Sequence, residues 1–303
     1  MRVLVVGLGD IARKAYLPVL ATRPDISLHL ATRNRDVLHE VGRTFHAAGL
    51  YTDLDTAFAS GRFDAVFVHA ATEAHPAIVR RSLEQGIPTF VDKPLADTLA
   101  EVEAIVALAE RRGTLLTMGF NRRFAPSYAT LAGTGATQVV MEKHRHRQAD
   151  TPRRVIYDDF IHVIDTLLFL APGPVERTVI DAQVADGLLL SVALMLSGDG
   201  FTAIGTMNRD SGLNEERLDV IGKGVRRSVL NMSDRITSNG NACHDRRGDW
   251  TSVGRQRGFE AMCDDFLCAV REERPTSADQ ILATHALCER VTLYAEKGAD
   301  AAR

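Results

Sequence analysis

The sequence has few of the features that mark secreted, membrane or nucleic-acid-binding proteins. Its 303 residues include four cysteines and one tryptophan, and 36 Lys and Arg nearly balance 39 Asp and Glu, for a net charge of −3. No two cysteines form a C-x-x-C pair, so we expect reduced, buried or semi-buried thiols in a cytoplasmic protein instead of a disulfide framework. The charge balance excludes a generally basic surface for nucleic acid or anionic membranes.

Long apolar runs are also missing. No stretch approaches the roughly 20 apolar residues of a membrane span, and glycines interrupt the short apolar run at residues 2–9, which excludes a signal-peptide core there. The length predicts two domains with room for a large core. With 45% apolar and 25% charged residues, the composition is that of an ordinary globular protein.

Apolar strands alternate with helices over the first 120 residues. This alternation predicts an α/β domain with a doubly wound, parallel sheet of the Rossmann type. Strands are expected at 2–9, 26–33, 63–71, 88–92 and 114–120, with helices at 10–22, 35–45, 73–86 and 96–113.

Successive strands joined by short turns follow in the second half, which predicts an α+β domain with a large, mostly antiparallel open sheet. We therefore expect a dinucleotide-binding domain at 1–121 and a substrate-binding and oligomerisation domain at 122–303, whose C-terminal helices pack back on the first domain. Residues 234–250 are polar and predict an irregular loop. The expected strands are 136–145, 177–184, 187–196, 200–208, 216–222 and 226–231, and the last helices are 257–272 and 278–297.

The segment "VVGLGDIA" places Gly7, Gly9 and Ala12 in a G-x-G-x-x-A pattern between a buried strand and a helix. In this context the first glycine permits a tight turn, and the second lets the backbone approach a pyrophosphate at the helix N-terminus. Asp10 and Ile11 complete the predicted phosphate-binding turn. The alternative is a tight turn without a ligand.

The end of the second strand indicates which cofactor binds. An NAD enzyme usually offers Asp or Glu to the ribose at this position, whereas this chain offers Thr32, Arg33 and Asn34, and no carboxylate comes before Asp36 in the next helix. A guanidinium suits a 2′-phosphate. We therefore expect NADP(H), with NAD(H) as the alternative cofactor and a solvated loop arginine as the alternative role of Arg33.

Further candidates lie at the carboxyl ends of later strands, the edge at which open α/β sheets bind ligands. Four residues at these positions are predicted to contact the cofactor, namely Ala70, Lys93, Pro94 and Asn121. Pro94 fixes the direction of the chain after Lys93 and can be cis. Lys93 is also the candidate catalytic cation, with a surface ion pair as the alternative, and His75 is expected to be structural.

A second group of polar residues lies in "YDDFIHVIDTLLFL" at 157–170. Asp158, His162 and Asp165 stand at i, i+4 and i+7, so an α-helix would place them on one face. A histidine between carboxylates can be held in one tautomer and tuned as an acid or base. The alternatives are a metal site and an ordinary hydrogen-bonded histidine.

Other polar residues are weaker candidates for substrate contact. Arg123 follows the last strand of the first sheet, and an interdomain salt bridge is an equally good explanation for it. Lys143 and Arg145 share one face of the first strand of the second domain, and Asp165 completes this set. Arg246 and Arg247 in the polar loop have two alternative roles, contact with an anionic substrate and solvated loop positions, and the second is expected.

Four motifs occur in a characteristic order: "VVGLGDIA", "VDKPLA", "GFNRRFAPSY" at 119–128 and "DDFIHVID" at 158–165. Together they resemble the Gfo/Idh/MocA family of NAD(P)-dependent oxidoreductases. The residues within these motifs are similar to those of the MviM-type members of the family. The resemblance covers nearly the whole chain. It implies a Rossmann domain joined to an α/β domain whose open sheet assembles homodimers or homotetramers.

The same resemblance implies roles for individual residues. Lys93 matches the lysine of the family's E-K-P motif, here D-K-P, and Asp158 and His162 match its D-x-G-x-H acid–base pair. Phe160 stands where the family often has glycine, which affects the expected substrate class. Lys93 would act at the reacting C–OH or C=O, His162 would exchange the substrate proton, and Asp158 would orient His162.

The implied activity is hydride transfer between a nicotinamide cofactor and a sugar, polyol or related hydroxy/keto compound, without a metal. Two alternatives stay open. One is redox-assisted elimination, in which hydride leaves and returns within one turnover. The other is a non-catalytic NADP(H)-binding sensor or assembly protein, for which an acid–base group would be superfluous.

Overall fold

The computed structural model describes residues 1–276 and 278–298, and the chain divides into two compact units. The first unit contains residues 1–120 and 259–282. The second contains residues 121–258 and 283–298.

A six-stranded, all-parallel sheet forms the first unit, in the order β3-β2-β1-β4-β5-β6, which confirms the Rossmann prediction. The strands are β1 (Arg2–Val6), β2 (Ser27–Ala31), β3 (Gly49–Tyr51), β4 (Ala65–Val68), β5 (Thr89–Val91) and β6 (Leu116–Met118). The helices are α1 (Leu17–Leu20), α2 (Arg35–Thr44), α3 (Leu54–Ala59), α4 (His75–Glu84) and α5 (Leu99–Arg112), with a 3₁₀ turn at Thr72–Ala74.

The centre of this sheet consists of β1 and β4, which pair side by side although two strands separate them in sequence. Both strands are apolar, and all but the first residue of β1 are buried. The strand order reverses at this pair, which is where doubly wound sheets bind their ligands. The loops after β1 and β4 are therefore the expected cofactor edge.

Two short elements of the first unit were missed by the sequence analysis. β3 has three half-buried residues and forms the edge of the sheet, and α3 follows it directly. A three-residue strand is too short for an alternating pattern to show.

The helix after β1 is not α-helical throughout. Ala12–Tyr16 form a π-helical turn, and α1 follows it with Pro18 in its first turn. Proline lacks the N–H that an α-helix needs, so a change of helical type just before it is a recognised solution.

An eight-stranded sheet forms the second unit, in the order β14-β13-β12-β11-β7-β10-β9-β8. Its neighbours are antiparallel except β7 and β10, so the prediction of a mostly antiparallel sheet is confirmed. The strands are β7 (Gln138–His144), β8 (Arg177–Ala185), β9 (Leu188–Gly198), β10 (Phe201–Asn208), β11 (Glu215–Gly222), β12 (Val225–Leu230), β13 (Asp234–Ser238) and β14 (Ala242–Asp245).

The second unit also contains several helices. They are α6 (Pro126–Ala129), α7 (Pro152–Val155), α8 (Ile161–Leu170) and α9 (Val253–Gln256), with a 3₁₀ turn at Asn121–Phe124 and a π-helical turn at Ile156–Phe160. α8 lies against β7 and β10. A Cβ on Gly205 would come within 2.4 Å of Val163 and 2.9 Å of Leu167, so glycine is what allows β10 and α8 to approach so closely.

The expectation of an irregular loop at 234–250 was wrong for its first part. Residues 234–245 form the hairpin of β13 and β14, whose turn contains Asn239 and Gly240. Asn-Gly is a strong hairpin signal. The strands themselves are polar, and all of β14 is exposed, so no apolar alternation indicated them.

Two helices end the described chain, α10 (Phe259–Arg271) and α11 (Ala278–Lys297). α10 belongs to the first unit, because Phe266 packs edge-on against Phe67 and also contacts Phe90. Phe259 packs edge-on against Tyr16 in the same unit. Aromatic contacts thus explain why residues beyond 258 return to the first unit.

All four cysteines are free, as expected. Cys263 and Cys288 are buried and Cys268 is half-buried, but Cys243 on β14 is exposed, which the sequence analysis did not predict. Among the helices that the structure describes, none combines the length and apolar composition of a membrane span.

Candidate functional site

The glycine turn after β1 has the geometry that a dinucleotide requires. Gly7 has φ of +89°, and a Cβ there would lie 2.4 Å from the Ala70 nitrogen and 2.6 Å from the His69 carbonyl carbon. Only glycine fits so close to the neighbouring backbone. A Cβ on Gly9 would meet nothing within 4 Å, so the space beside Gly9 is open.

The first amides of the helix that follows have no intrahelical acceptors. The Arg13 N–H donates to the Gly9 carbonyl at 3.1 Å, so the amides of residues 10–12 precede the first intrahelical bond. Ile11 is 39% exposed, which is unusual for an apolar residue next to a core strand, and Asp10 pairs with Lys14. Ala12 is buried against the sheet. Free amides beside an open glycine fit a pyrophosphate.

Residues after β2 have different structural roles. Asn34 caps α2, because its Oδ1 accepts hydrogen bonds from the Asp36 and Val37 amides at 3.1 Å each. Thr32 donates its backbone N–H to the Tyr51 carbonyl. Arg33 is exposed and makes no ion pair with the residues that the structure describes, so its guanidinium is available. Asp36 lies in α2, as expected.

Lys93 stands at the carboxyl end of β5, as predicted, and is half-buried. Its backbone N–H donates to the Asp92 Oδ1 at 2.9 Å, and the same oxygen accepts the Tyr16 hydroxyl at 3.2 Å. Burial raises the pKa of Asp92, although nearby Lys93 opposes the shift. The Lys93–Pro94 peptide is cis. Asp92 therefore fixes the backbone from which Lys93 projects.

His75 links two of the strand-end loops, a role that the sequence did not reveal. Its Nδ1 lies 2.8 Å from the Pro94 carbonyl oxygen, and its Nε2 lies 2.9 Å from the Ala70 carbonyl oxygen. Each ring nitrogen faces one carbonyl oxygen, so the side chain connects the loop after β4 with the loop after β5. His75 is buried and is the first residue of α4. A structural role was expected for this histidine.

In the second unit, Asp158 and His162 lie on either side of a change in helical type. Asp158 belongs to the π-helical turn and is exposed, with its Oδ2 3.8 Å from the Arg154 Nε. His162 is half-buried near the start of α8. The segment is therefore not one uninterrupted α-helix, and the shared face of Asp158, His162 and Asp165 stays a prediction. Phe160 is completely buried.

Asp165 is committed to an ion pair. It is 1% exposed and accepts hydrogen bonds from Arg123 Nε at 3.0 Å and Arg123 Nη2 at 2.7 Å. Burial raises the pKa of Asp165, and Arg123 opposes the shift. Both residues belong to the second unit, where the pair joins the turn at 121–124 to α8. A substrate contact for either residue stays a prediction.

Asn121 is also engaged within the second unit. It is 5% exposed, its Nδ2 donates to the Arg257 carbonyl at 2.9 Å, and its Oδ1 accepts from Arg122 at 3.4 Å. These bonds hold the segment before α10 against the 3₁₀ turn. The predicted cofactor contact of Asn121 stays a prediction.

A buried ion-pair network surrounds Glu216 on β11. Its carboxylate accepts hydrogen bonds from Arg122, from the Tyr128 hydroxyl and from Lys143 Nζ at 3.1 Å. Burial alone would raise the pKa of Glu216, but Arg122 and Lys143 outweigh it and hold the pKa well below its usual range. Burial, with Arg122, lowers the pKa of Lys143 to about 8.

The network continues to Asp159, which the sequence analysis passed over in favour of its neighbour Asp158. Arg145 forms two bonds of 2.8 Å with Asp159, Arg209 donates one at 2.7 Å, and Lys143 lies 3.3 Å away. These cations outweigh burial and lower the pKa of Asp159. They also anchor the π-helical turn that carries Asp158. No local pattern distinguishes the two aspartates of "YDDF".

Lys143 on β7 and Arg145, one residue beyond its end, thus have structural partners, and both contact Asp159. Whether they also contact a substrate stays a prediction. Within residues 1–276 and 278–298, no group of three or more His, Cys, Asp or Glu is arranged to hold a metal ion. The metal alternative for the segment at 158–165 therefore has no support from the side-chain arrangement.

Comparisons with known proteins assign the chain to a family. A sequence profile described as "Oxidoreductase family, NAD-binding Rossmann fold" matches residues 1–120, and one described as "YceM-like, C-terminal domain" matches residues 126–240. The YceM protein of Salmonella typhimurium is 33% identical over 296 residues, covering 92% of this chain and 93% of that protein. The chain belongs to the Gfo/Idh/MocA family of oxidoreductases.

Further relatives and solved structures extend the likeness. A family oxidoreductase from Vibrio cholerae has 32% identity and a TM-score of 0.90, covering 96% of this chain and 98% of that one. A dehydrogenase (MviM) from Clostridium difficile has 28% identity, a TM-score of 0.90 and the same coverage. The predicted MviM-like resemblance is confirmed. The myo-inositol dehydrogenase Hyg17 of Streptomyces leeuwenhoekii is 32% identical over 233 residues, covering 69% of this chain and 67% of that protein.

Family membership makes the chain an NAD(P)-dependent dehydrogenase with an NAD-binding Rossmann fold. The residues present fit such a cofactor. Gly7 makes the tight turn, Gly9 leaves open space at the start of the helix, and Arg33 extends without an ion pair to the described part of the chain.

Proposed function

We propose that the chain uses NADP(H) to move a hydride to or from a carbon that carries a hydroxyl or keto group in a sugar, polyol or related compound. The observation that carries the proposal is Lys93, which is presented at the cofactor edge of the Rossmann sheet by a backbone that Asp92 fixes. A lysine held there suits the polarisation of a C–OH or C=O group.

Support for NADP(H) comes from the end of β2. Arg33 is exposed. Asp36 is the first carboxylate after it, and its backbone N–H donates to the Oδ1 of Asn34, the residue that caps α2. A guanidinium binds a 2′-phosphate through charge-assisted bonds, and a carboxylate would repel it. Support for a polyol substrate comes from the inositol dehydrogenase named above, which matches two thirds of the chain.

The chain would hold the cofactor in three places. The turn from Gly7 through Asp10 and Ile11 to Ala12 would bind the pyrophosphate. Thr32, Arg33 and Asn34 would face the adenosine ribose, and Ala70, Lys93, Pro94 and Asn121 would lie toward the nicotinamide. When bound, the cofactor supplies the carbon that accepts or donates the hydride.

Three side chains would carry out the proton chemistry. Lys93 would polarise the reacting oxygen, and its charge would stabilise negative charge that develops there. His162 would take the hydroxyl proton in oxidation and return it in reduction, since an imidazole titrates near neutral pH. Asp158 would orient His162, and Asp159 would fix the turn that carries Asp158 through its bonds to Arg145.

We further propose that copies of the chain assemble as a homodimer or homotetramer through the uncovered face of the eight-stranded sheet. Strand pairing places Val179, Met195, Ile204 and Val140 in one row across β8, β9, β10 and β7. This row lies on the face opposite Gly205, which packs on α8. Val179 is 39% exposed. An apolar row of this kind on an open sheet favours burial against a partner.

A cytoplasmic location of the protein stays a prediction.

The experiment begins with a panel of sugars, polyols and sugar acids, assayed by the absorbance of NADPH. With a substrate in hand, Lys93→Met and His162→Ala should each lower kcat/KM by about 10²–10⁴-fold, the usual effect of losing a general acid–base group. NADPH affinity, measured by titration calorimetry, should change little. Lys297→Met and His244→Ala are matched controls, because both residues are exposed and neither belongs to a predicted cofactor or catalytic motif.

Asp158→Asn should act through His162, so combining it with His162→Ala should cost far less than the sum of the two single effects. The pH dependence of the rate should lose one ionisation when His162 is replaced. Near-normal rates in both single variants would show that the assigned chemistry is wrong.

A further inference from the structure

The second unit contains a cavity of about 380 Å³ away from the segment that carries Asp158 and His162. Its walls come from the start of α6, from β12–β13, from the loop after β14 and from α9. None of the residues at 152–170 lines it. The volume is that of a small-molecule pocket.

Four arginines converge on this cavity, namely Arg235, Arg246, Arg247 and Arg255. None of the described residues that line it is Asp or Glu. The chain as a whole has a net charge of −3, so this cluster is not the result of a generally basic composition. Guanidinium groups that share one space repel one another, and an anion bound among them would relieve that repulsion.

The arginines are only partly neutralised by the rest of the chain. Arg235 pairs with Asp245 across the hairpin, and Arg247 donates to the Gln256 Oε1 at 2.9 Å and to a backbone carbonyl. Arg246 and Arg255 make no ion pair with the residues that the structure describes. Ser127 and Thr251 also line the cavity and can donate hydrogen bonds.

We propose that this cavity, the arginine pocket, binds a small molecule that carries a phosphate group. Guanidinium groups bind phosphate oxygens in bidentate pairs. Guanidiniums from three separate elements suit a tetrahedral anion with several oxygens better than a planar carboxylate with two. The pocket is larger than a phosphate ion needs, so it takes an organic group together with the phosphate. The proposal does not depend on the identity of the oxidised substrate.

The chain contains its own reporter for this pocket. Trp250 is the only tryptophan, is fully exposed, and lies between Gly248 and Thr251, which both line the pocket. Titration with inorganic pyrophosphate and with glucose 6-phosphate, at constant ionic strength and with excitation selective for tryptophan, should change its emission in a saturable way. Glucose alone should have no effect. Titration calorimetry should give the same dissociation constants.

The double variant Arg246→Ala/Arg255→Ala should bind both phosphate probes about 10- to 100-fold more weakly, as expected for lost charge-assisted bonds. Its melting curve should match that of the unmutated protein, because neither side chain is in an ion pair with the described residues. Arg177→Ala is the control, since this exposed arginine lies on β8, at the other edge of the same sheet.

Absence of saturable binding by either phosphate probe would overturn the proposal. Equal affinities in the double variant and the Arg177→Ala control would also overturn it, because binding would then occur elsewhere. Binding of pyrophosphate without glucose 6-phosphate would refute the organic part of the ligand and show an adventitious ion only.

Discussion

Replacing Gly7 or Gly9 with alanine should have two different effects. Gly7→Ala should mainly lower stability, and Gly9→Ala should mainly weaken cofactor binding. In Gly7→Ala, the new Cβ would lie 2.4 Å from the Ala70 nitrogen and 2.6 Å from its Cα, at a φ of +89°. The left-handed backbone costs about 1–2 kcal/mol for a residue with a Cβ, and the overlap costs about 1–3 kcal/mol. The first unit should therefore lose about 2–5 kcal/mol of stability.

Gly9→Ala should have the opposite profile. Its Cβ would meet no atom within 4 Å, and Gly9 is not in the left-handed region, so the free energy of unfolding should change by no more than about 0.5 kcal/mol. The methyl group would enter the space that the pyrophosphate needs. Loss of one or more amide-to-phosphate bonds, at about 1.5–3 kcal/mol each, should raise the Kd for NADPH by about 10- to 100-fold.

Thermal melting with and without NADPH, together with calorimetric titration, measures both quantities. Gly173→Ala is the matched control, because that glycine also has open space around its Cβ position and lies in the second unit. A Gly9→Ala protein with unchanged NADPH affinity would refute the assigned cofactor position. A Gly7→Ala protein that melts like the unmutated one would refute the close approach to Ala70.

Further predictions concern cofactor choice, the buried network and assembly. NADPH should bind more tightly than NADH, and Arg33→Ala should remove most of a difference of about 1–3 kcal/mol; equal calorimetric affinities in the unmutated protein would contradict this. In urea unfolding, Glu216→Gln should cost about 3–5 kcal/mol, because Arg122 and Lys143 would face a neutral amide while buried. Because the pKa of Lys143 is lowered from 10.5 to about 8, the unfolded chain binds this proton more tightly; the contribution of Lys143 to stability should therefore rise between pH 8 and 10.5. A Lys143→Met variant that shows the same pH trend in urea unfolding would rule this origin out. By light scattering at micromolar concentration the protein should be a dimer or larger and Ile204→Glu should reduce its mass, whereas a monomeric unmutated protein would speak against the sheet interface.

The sequence predicted the first sheet well because its strands are buried on both faces and therefore read as apolar runs. β1 and β4 are examples. The glycine turn was recognisable because it directly follows the apolar run of β1. The edge strand β3 and the hairpin of β13 and β14 were not recognised, because partly exposed short strands have no apolar pattern. Tertiary pairing, not composition, makes these segments strands.

A site residue could be placed from the sequence where its local motif alone determines its position in the fold. Lys93 at the end of β5 is such a case. The roles of His75, Asp159 and Glu216 were not predictable, because each depends on partners that are distant in sequence. Glu216, for example, binds Arg122, which is 94 residues away along the chain. Pairing over such distances is set by the fold and leaves no mark on the spacing of a motif.

The π-helical turn at Ile156–Phe160 has a consequence for how this chain can be altered by insertion or deletion. Such a turn contains one residue more than the α-helical turn that it replaces. Removing one residue between Asp158 and His162 would restore ordinary helix, and the two groups would keep nearly the same relative orientation, because the wider turn is what accommodates the extra residue. A homologous chain that is one residue shorter here would therefore carry both groups in a similar arrangement, and a one-residue alignment gap at this point would mark the loss of the π-helical turn and not a change in chemistry.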